Sequence, residues 1–164
     1  MYNILAGLAL GSHLNIPVEQ LIQGVKKVRS IEHRLELKKY GDINIIDDAY
    51  NSNPVGSKMA LDVLSLMPGK KIIVTPGMIE LGDRQYDLNK QFGMQIADVC
   101  DAVILVGEEQ TKPIYDGLME KKYKEKNIYV INDVKIAFKL MHEIKDKTTY
   151  VLLENDLPDI FNEK

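Results

Sequence analysis

Four short apolar runs constrain this chain more than any other feature: IIV at 72–74, AVILV at 102–106, IYVI at 128–131 and YVLL at 150–153. Each is too short for a helix of ordinary length and is continuously apolar. Such runs read as strands buried on both faces. The segments between them carry helical periodicity. A helix follows Pro54, with Met59, Ala60, Val63 and Leu64 inward. Others are expected over Asp87–Val99, Thr111–Lys122 and Val134–Ile144, the last with Asp133 as its N-cap. Strands alternating with helices require right-handed crossovers, so the chain should form an α/β fold with a doubly wound, mostly parallel, Rossmann-like sheet. Two further extended runs, Arg34–Tyr40 and Ile43–Asp47, flank Gly41-Asp42. They predict an antiparallel hairpin at the sheet edge, with Leu35 and Leu37 on one face and Glu36 and Lys38 on a wet one.

The N-terminal stretch differs in character. Residues 3–12 (NILAGLALGS) are small and apolar on nearly every side, and a second helix is expected from Val18 to Val28 behind Pro17. A helix apolar all round needs partners to bury it, so residues 1–30 read as the end of another domain and 31–164 as a domain of its own.

In a parallel sheet the loops after the strands gather on one edge, where ligands bind. The loop after the second run, IIDDAYNSNPVGS at 45–57, is the richest of them. Two carboxylates ending a buried strand are costly unless something polar or cationic meets them. Asp47, Asp48, Tyr50, Asn51 and Asn53 exceed what one helix cap requires, and a carboxylate there is suited to accept both hydroxyls of a ribose diol. Arg34, beside His33, is the natural partner of a phosphate or a carboxylate. No GxGxxG follows a strand, no GxxxxGK[ST] is present, and no Ser lies in a GxSxG elbow. The three His and one Cys lack metal-ligand spacing, so no metal site and no catalytic residue is assigned in this chain. The net charge of −3 gives no bias toward nucleic acid. The single Cys100 excludes an internal disulfide and reads as a buried thiol. No apolar run approaches a membrane span and no signal peptide is seen, so a cytoplasmic location is expected.

Three strings resemble the C-terminal domain of the Mur ligases in order and spacing: His33-Arg34-Leu35-Glu36, Ile46-Asp47-Asp48-Ala49-Tyr50-Asn51-Ser52-Asn53-Pro54 and Gly77-Met78-Ile79-Glu80-Leu81-Gly82. The likeness runs from about His33 to Leu153 and is strongest to the branch that adds D-alanyl-D-alanine to a UDP-N-acetylmuramoyl-tripeptide. It implies an ATP-dependent carbon–nitrogen ligase of peptidoglycan precursor synthesis. Such an enzyme joins a UDP-muramoyl-peptide to an amino acid or dipeptide through an acyl phosphate. The P-loop and Mg²⁺ ligands would lie in a central domain, outside the C-terminal one. By position, the resemblance implies nucleotide binding for His33, Arg34, Asp48, Tyr50 and Asn53. It also implies an acceptor or closure loop drawing on Asp47, Asn51, Glu80, Glu154 and Asn155. Without the central and N-terminal domains the chain is expected to be inactive. The sequence departs from the family pattern at Thr75–Met78, at Asn89, and at Leu153–Pro158, where Lys-Gly-Ser is usual. This last change motivates a second reading, a non-catalytic binding module on the same fold. A folylpolyglutamate-synthase-like ligase domain is a third.

Overall fold

The computed structural model describes residues 2–29 and 31–155. The chain divides into two compact units, Met1–Ile31 and Glu32–Lys164. The first contains helices α1 (Tyr2–His13) and α2 (Val18–Lys27). They pack closely at Gly11, where a Cβ would lie 2.5 Å from Leu21 Cδ2. Leu5, Leu10, Val18 and Ile22 stay exposed.

The second unit is a six-stranded sheet in the order β1-β2-β6-β3-β4-β5. Its strands are β1 (Glu36–Tyr40), β2 (Ile43–Asp48), β3 (Lys70–Thr75), β4 (Ala102–Val106), β5 (Ile128–Ile131) and β6 (Thr149–Glu154). Only β1 pairs antiparallel, with β2. The connections β2→β3, β3→β4 and β4→β5 all step in one direction across the sheet. Right-handed crossovers therefore put their helices on one face: α3 (Pro54–Ser65), α4 (Gln85–Val99) and α5 (Glu108–Glu120). The step β5→β6 runs back the other way, so α6 (Val134–Ile144) covers the opposite face. Two cores result. Ala60, Leu61, Leu64, Phe92, Ile96, Ile114 and Leu118 meet Ile46, Ile73, Val103 and Leu152 on the three-helix face. Ala137 and Met141 meet Ile43, Ile45, Ile72, Ile104 and Val151 on the other.

Several sequence expectations are corrected. β1 begins at Glu36, because His33 and Leu35 adopt φ of 58° and 50°, outside strand geometry. Its polarity is inverted: Leu37 is 63% exposed, while Glu36 and Lys38 turn toward Asp47. IYVI is not buried on both faces; β5 is the sheet edge and Val130 is exposed. In α3, Met59 faces solvent and Leu61 takes the inward place. α5 starts a turn before the expected Thr111, with Glu108 and Glu109 in a first turn that favours acids. α4 starts at Gln85, its winding prepared by a 3₁₀ turn over Gly82–Arg84. Asp133 caps α6 as expected, accepting Lys135 N–H at 2.8 Å. Cys100 is buried, which pushes its thiol pKa up.

Candidate functional site

The topology brings the C-terminal ends of β2, β6 and β3 side by side, and the candidate residues gather there. Side chains of β2 alternate faces: Ile43, Ile45 and Asp47 point toward α6, Ile46 and Asp48 toward the three-helix side. The two adjacent acids therefore have different surroundings.

Asp47 is 5% exposed and closed in. Its Oδ2 accepts from Lys38 Nζ at 2.7 Å and from His33 Nδ1 at 2.9 Å, and its Oδ1 accepts the Ala49 N–H at 3.3 Å. Burial pushes its carboxyl up, but Lys38 and His33 together outweigh this and hold it below the ordinary carboxylate range. A buried carboxylate with two basic partners is spoken for internally. His33, Asp47, Ala49, Tyr50, Val134, Phe138 and Leu153 line a groove of about 420 Å³ beside it.

Asp48 is half-buried on the other face. Its Oδ1 accepts the Leu35 N–H at 3.0 Å. Burial raises its pKa, against the pull of that hydrogen bond and of the Arg34 charge. Arg34 is exposed, with its guanidinium carbon 4.3 Å from the centroid of the Tyr50 ring, a cation–π contact. Tyr50 itself is 61% exposed. Carboxylate, guanidinium and aromatic ring thus belong to one open edge.

Asn53 is a helix cap. Its Oδ1 accepts Val55 N–H at 3.1 Å and Gly56 N–H at 3.0 Å, ahead of Pro54 at the first helical position. Asn51 and Glu80 are exposed, Glu80 in a left-handed conformation with φ 60°.

Glu154 and Asn155 do not lie on the open surface; they are 1% and 4% exposed. From beneath they tie three loops together. Glu154 Oε1 accepts from Ser52 Oγ at 2.5 Å, in the loop after β2. Asn155 N–H donates to Asp48 O at 3.3 Å. Asn155 Nδ2 donates to Gly77 O at 2.6 Å, in the loop after β3. The departure from the family pattern at Glu154 is thus internal, and residues 156–158 of that departure lie outside the described residues.

The loop after β3 is gripped by amides that the sequence reading left out of the site. Asn89, fully buried, clamps Met78 from both sides: Oδ1 accepts Met78 N–H and Nδ2 donates to Met78 O, both at 2.8 Å. Gln110 Nε2 donates to the same carbonyl at 3.2 Å. Gly77 has φ 82°, and a Cβ there would sit 2.9 Å from Asn89 Oδ1, so only glycine fits this turn. Ser52, Lys38 and Asn89 are the members missed. Asn89 leaves a trace in sequence: it is a polar residue in register with Phe92, Gly93 and Ile96 on the inward face of α4.

The comparisons with known proteins bear on the family and the fold. The family model of the "Mur ligase, glutamate ligase domain" matches residues 33–153. The chain is 34% identical over 110 residues to the UDP-N-acetylmuramoyl-tripeptide–D-alanyl-D-alanine ligase of Bacillus subtilis, covering 65% of this chain and 24% of that protein. It is 32% identical over 139 residues to the enzyme of the same name from Buchnera aphidicola, covering 78% of this chain and 30% of that protein. The chain therefore spans under a third of the length of these relatives. The fold is shared with MurF ligase from Thermotoga maritima in complex with ADP, with a TM-score of 0.71, 25% identity, and coverage of 93% of this chain and 34% of that one. It is shared also with MurF from Acinetobacter baumannii, with a TM-score of 0.80, 20% identity, and coverage of 98% and 35%.

Proposed function

This chain belongs to the Mur ligase family, and from that premise we propose that it is the C-terminal domain of an ATP-dependent amide ligase that builds peptidoglycan precursors in the cytoplasm. Its residues complete a nucleotide site whose phosphates and Mg²⁺ are held mainly by the central domain, and the central and N-terminal domains are its partners in the complete enzyme. The complete enzyme joins a UDP-muramoyl-peptide to an amino acid or dipeptide.

One observation carries the reading. Asp48 ends β2 on the sheet edge where α/β folds take ligands, and a single N–H occupies one of its oxygens. The other oxygen suits a ribose diol, and Arg34, braced on Tyr50, suits a phosphate. These donors and acceptors fit a nucleotide's sugar and phosphate. The Asp47 carboxylate, His33 Nδ1 and Asn53 Oδ1 are engaged within the domain and hold the loop that carries the site. The burial of Glu154 favours this reading over the binding module, because the changed residue does not reshape the open edge.

The test is Asp48→Ala in the complete enzyme. Losing a hydrogen bond to a charged group costs about 1.5–3 kcal/mol, so kcat/KM for ATP should fall roughly 10- to 100-fold with the fold intact. An unchanged kcat/KM would sink the proposal.

A further inference from the structure

The end of β6 holds a buried carboxyl group that the nucleotide reading does not use. Glu154 Oε1 accepts from Ser52 Oγ. Oε2 is buried and receives no hydrogen bond from any N–H or O–H among the described residues. Asp48 is its partner in the β2–β6 ladder, so the two side chains leave neighbouring parallel strands on the same face, and each carboxyl bears on the other's protonation. Two ionised carboxylates so placed, with little water, repel strongly. One proton between them replaces the repulsion with a charge-assisted hydrogen bond.

The neighbours decide which group keeps the proton. From β2, Asp48 faces Glu154, while Asp47 lies on the far face with Lys38 and His33. On the neighbouring β3, the residue after the last paired position is Thr75, which does not titrate and whose hydroxyl accepts the Gly77 N–H. From the loop before α3 comes Ser52, and from the start of that helix Asn53 and Ser57, all neutral. The Arg34 charge bears on Asp48, and no described cation bears on Glu154. The proton therefore belongs on Glu154 and the negative charge on Asp48.

We propose that Glu154 is a positioning residue for Asp48: a neutral carboxylic acid that donates its Oε2 proton to the Asp48 carboxylate while Oε1 holds Ser52. It keeps Asp48 charged and aimed at the open edge, and it locks the loop after β2 to the last strand. That Asp48 meets a nucleotide rests on the reading above; the shared proton does not. Burial, only partly offset by Ser52 and reinforced by the Asp48 charge, pushes Glu154 up to about 8. Above that pH the second charge appears and the lock opens.

The experiment is a pH titration of the 164-residue chain by carboxyl ¹³C NMR, with chemical denaturation from pH 5 to 9. The Glu154 carbon should titrate with a midpoint near 8, and Asp48→Asn should lower that midpoint by a unit or more. The folded state holds this proton more tightly than the unfolded one, so stability should fall as pH rises from about 5 to 8. Glu154→Gln, whose amide can still donate to Asp48 and accept from Ser52, should match the parent near pH 5, lose that decline, and so be the more stable of the two near pH 7. A Glu154 midpoint in the ordinary range of 4–5, or a decline that persists in Glu154→Gln, would overturn the proposal. ATP added to the same samples separates the two readings. Amide shifts confined to residues 33–53 support the nucleotide site. Their absence, with the midpoint still near 8, counts against that site alone.

Discussion

At the scale of single residues, neighbouring acids of one sequence motif do different work because a strand alternates its faces. Asp47 is a structural ion held by Lys38 and His33; Asp48, with one N–H on its carboxylate, is the group we propose for a ligand. Replacing Lys38 by Met leaves Asp47 with one basic partner. Lys38 is partly exposed and water screens the pair, so a small loss of stability is expected, read as a lower urea midpoint at pH 7. The sign of the pH dependence follows from Asp47's lowered pKa. Its contribution is complete above the unfolded value of about 4 and is lost as pH falls through the folded value. Lys38→Met should flatten that acid limb below about pH 4 in the same measurement. Asn53→Ala removes two hydrogen bonds at the start of α3 and should cost about 1 kcal/mol, seen as a lower Tm. None of this division was legible in the string Asp47-Asp48. It depends on which face of β2 α6 covers, and the direction of the last crossover sets that.

At the scale of elements, α4 and α5 meet through glycine. A Cβ at Gly93 would lie 2.1 Å from Ile114 O, and one at Gly117 2.1 Å from Lys90 O. Backbone atoms cannot move aside as a side-chain tip can, so either change must push the helices apart. Gly93→Ala or Gly117→Ala should each destabilise the domain by about 1–3 kcal/mol, measured by denaturation. The same contact seats Asn89 and Gln110 against Met78, so the loop after β3 should loosen too, with faster amide exchange at Met78. Most elements could be read from the sequence because buried parallel strands and amphipathic helices carry distinct periods. The misses share a cause. In β1 the alternation is clear but either face could be the inner one, and the ion pair to Asp47, rather than leucine burial, chose it. In β5 an apolar run lies at the sheet edge, since strand order is fixed by crossovers between distant segments. The Mur ligase resemblance pointed to the candidate loop and marked Asn89 as a departure; it gave no hint of the clamp on Met78, whose bonds exist only after α4 docks beside it.

At the scale of the whole molecule, the candidate nucleotide groups form one open side of a site. The 164-residue chain should release no phosphate from ATP and should bind ATP more weakly than the low-micromolar range, because the remaining contacts must come from elsewhere. Calorimetry and a phosphate-release assay check both. The sheet order has a further consequence. β2 and β3 never touch; β6 lies between them and pairs with both. The strand made last among those described is therefore the keystone between a two-stranded ribbon and a three-stranded sheet. During synthesis neither half can close its core until residues 149–154 have left the ribosome, and the loops bound for Ser52, Asp48 and Gly77 stay unanchored until then. A nascent chain stalled just short of that strand should be cut readily by protease, and six residues more should make it resistant in a single step.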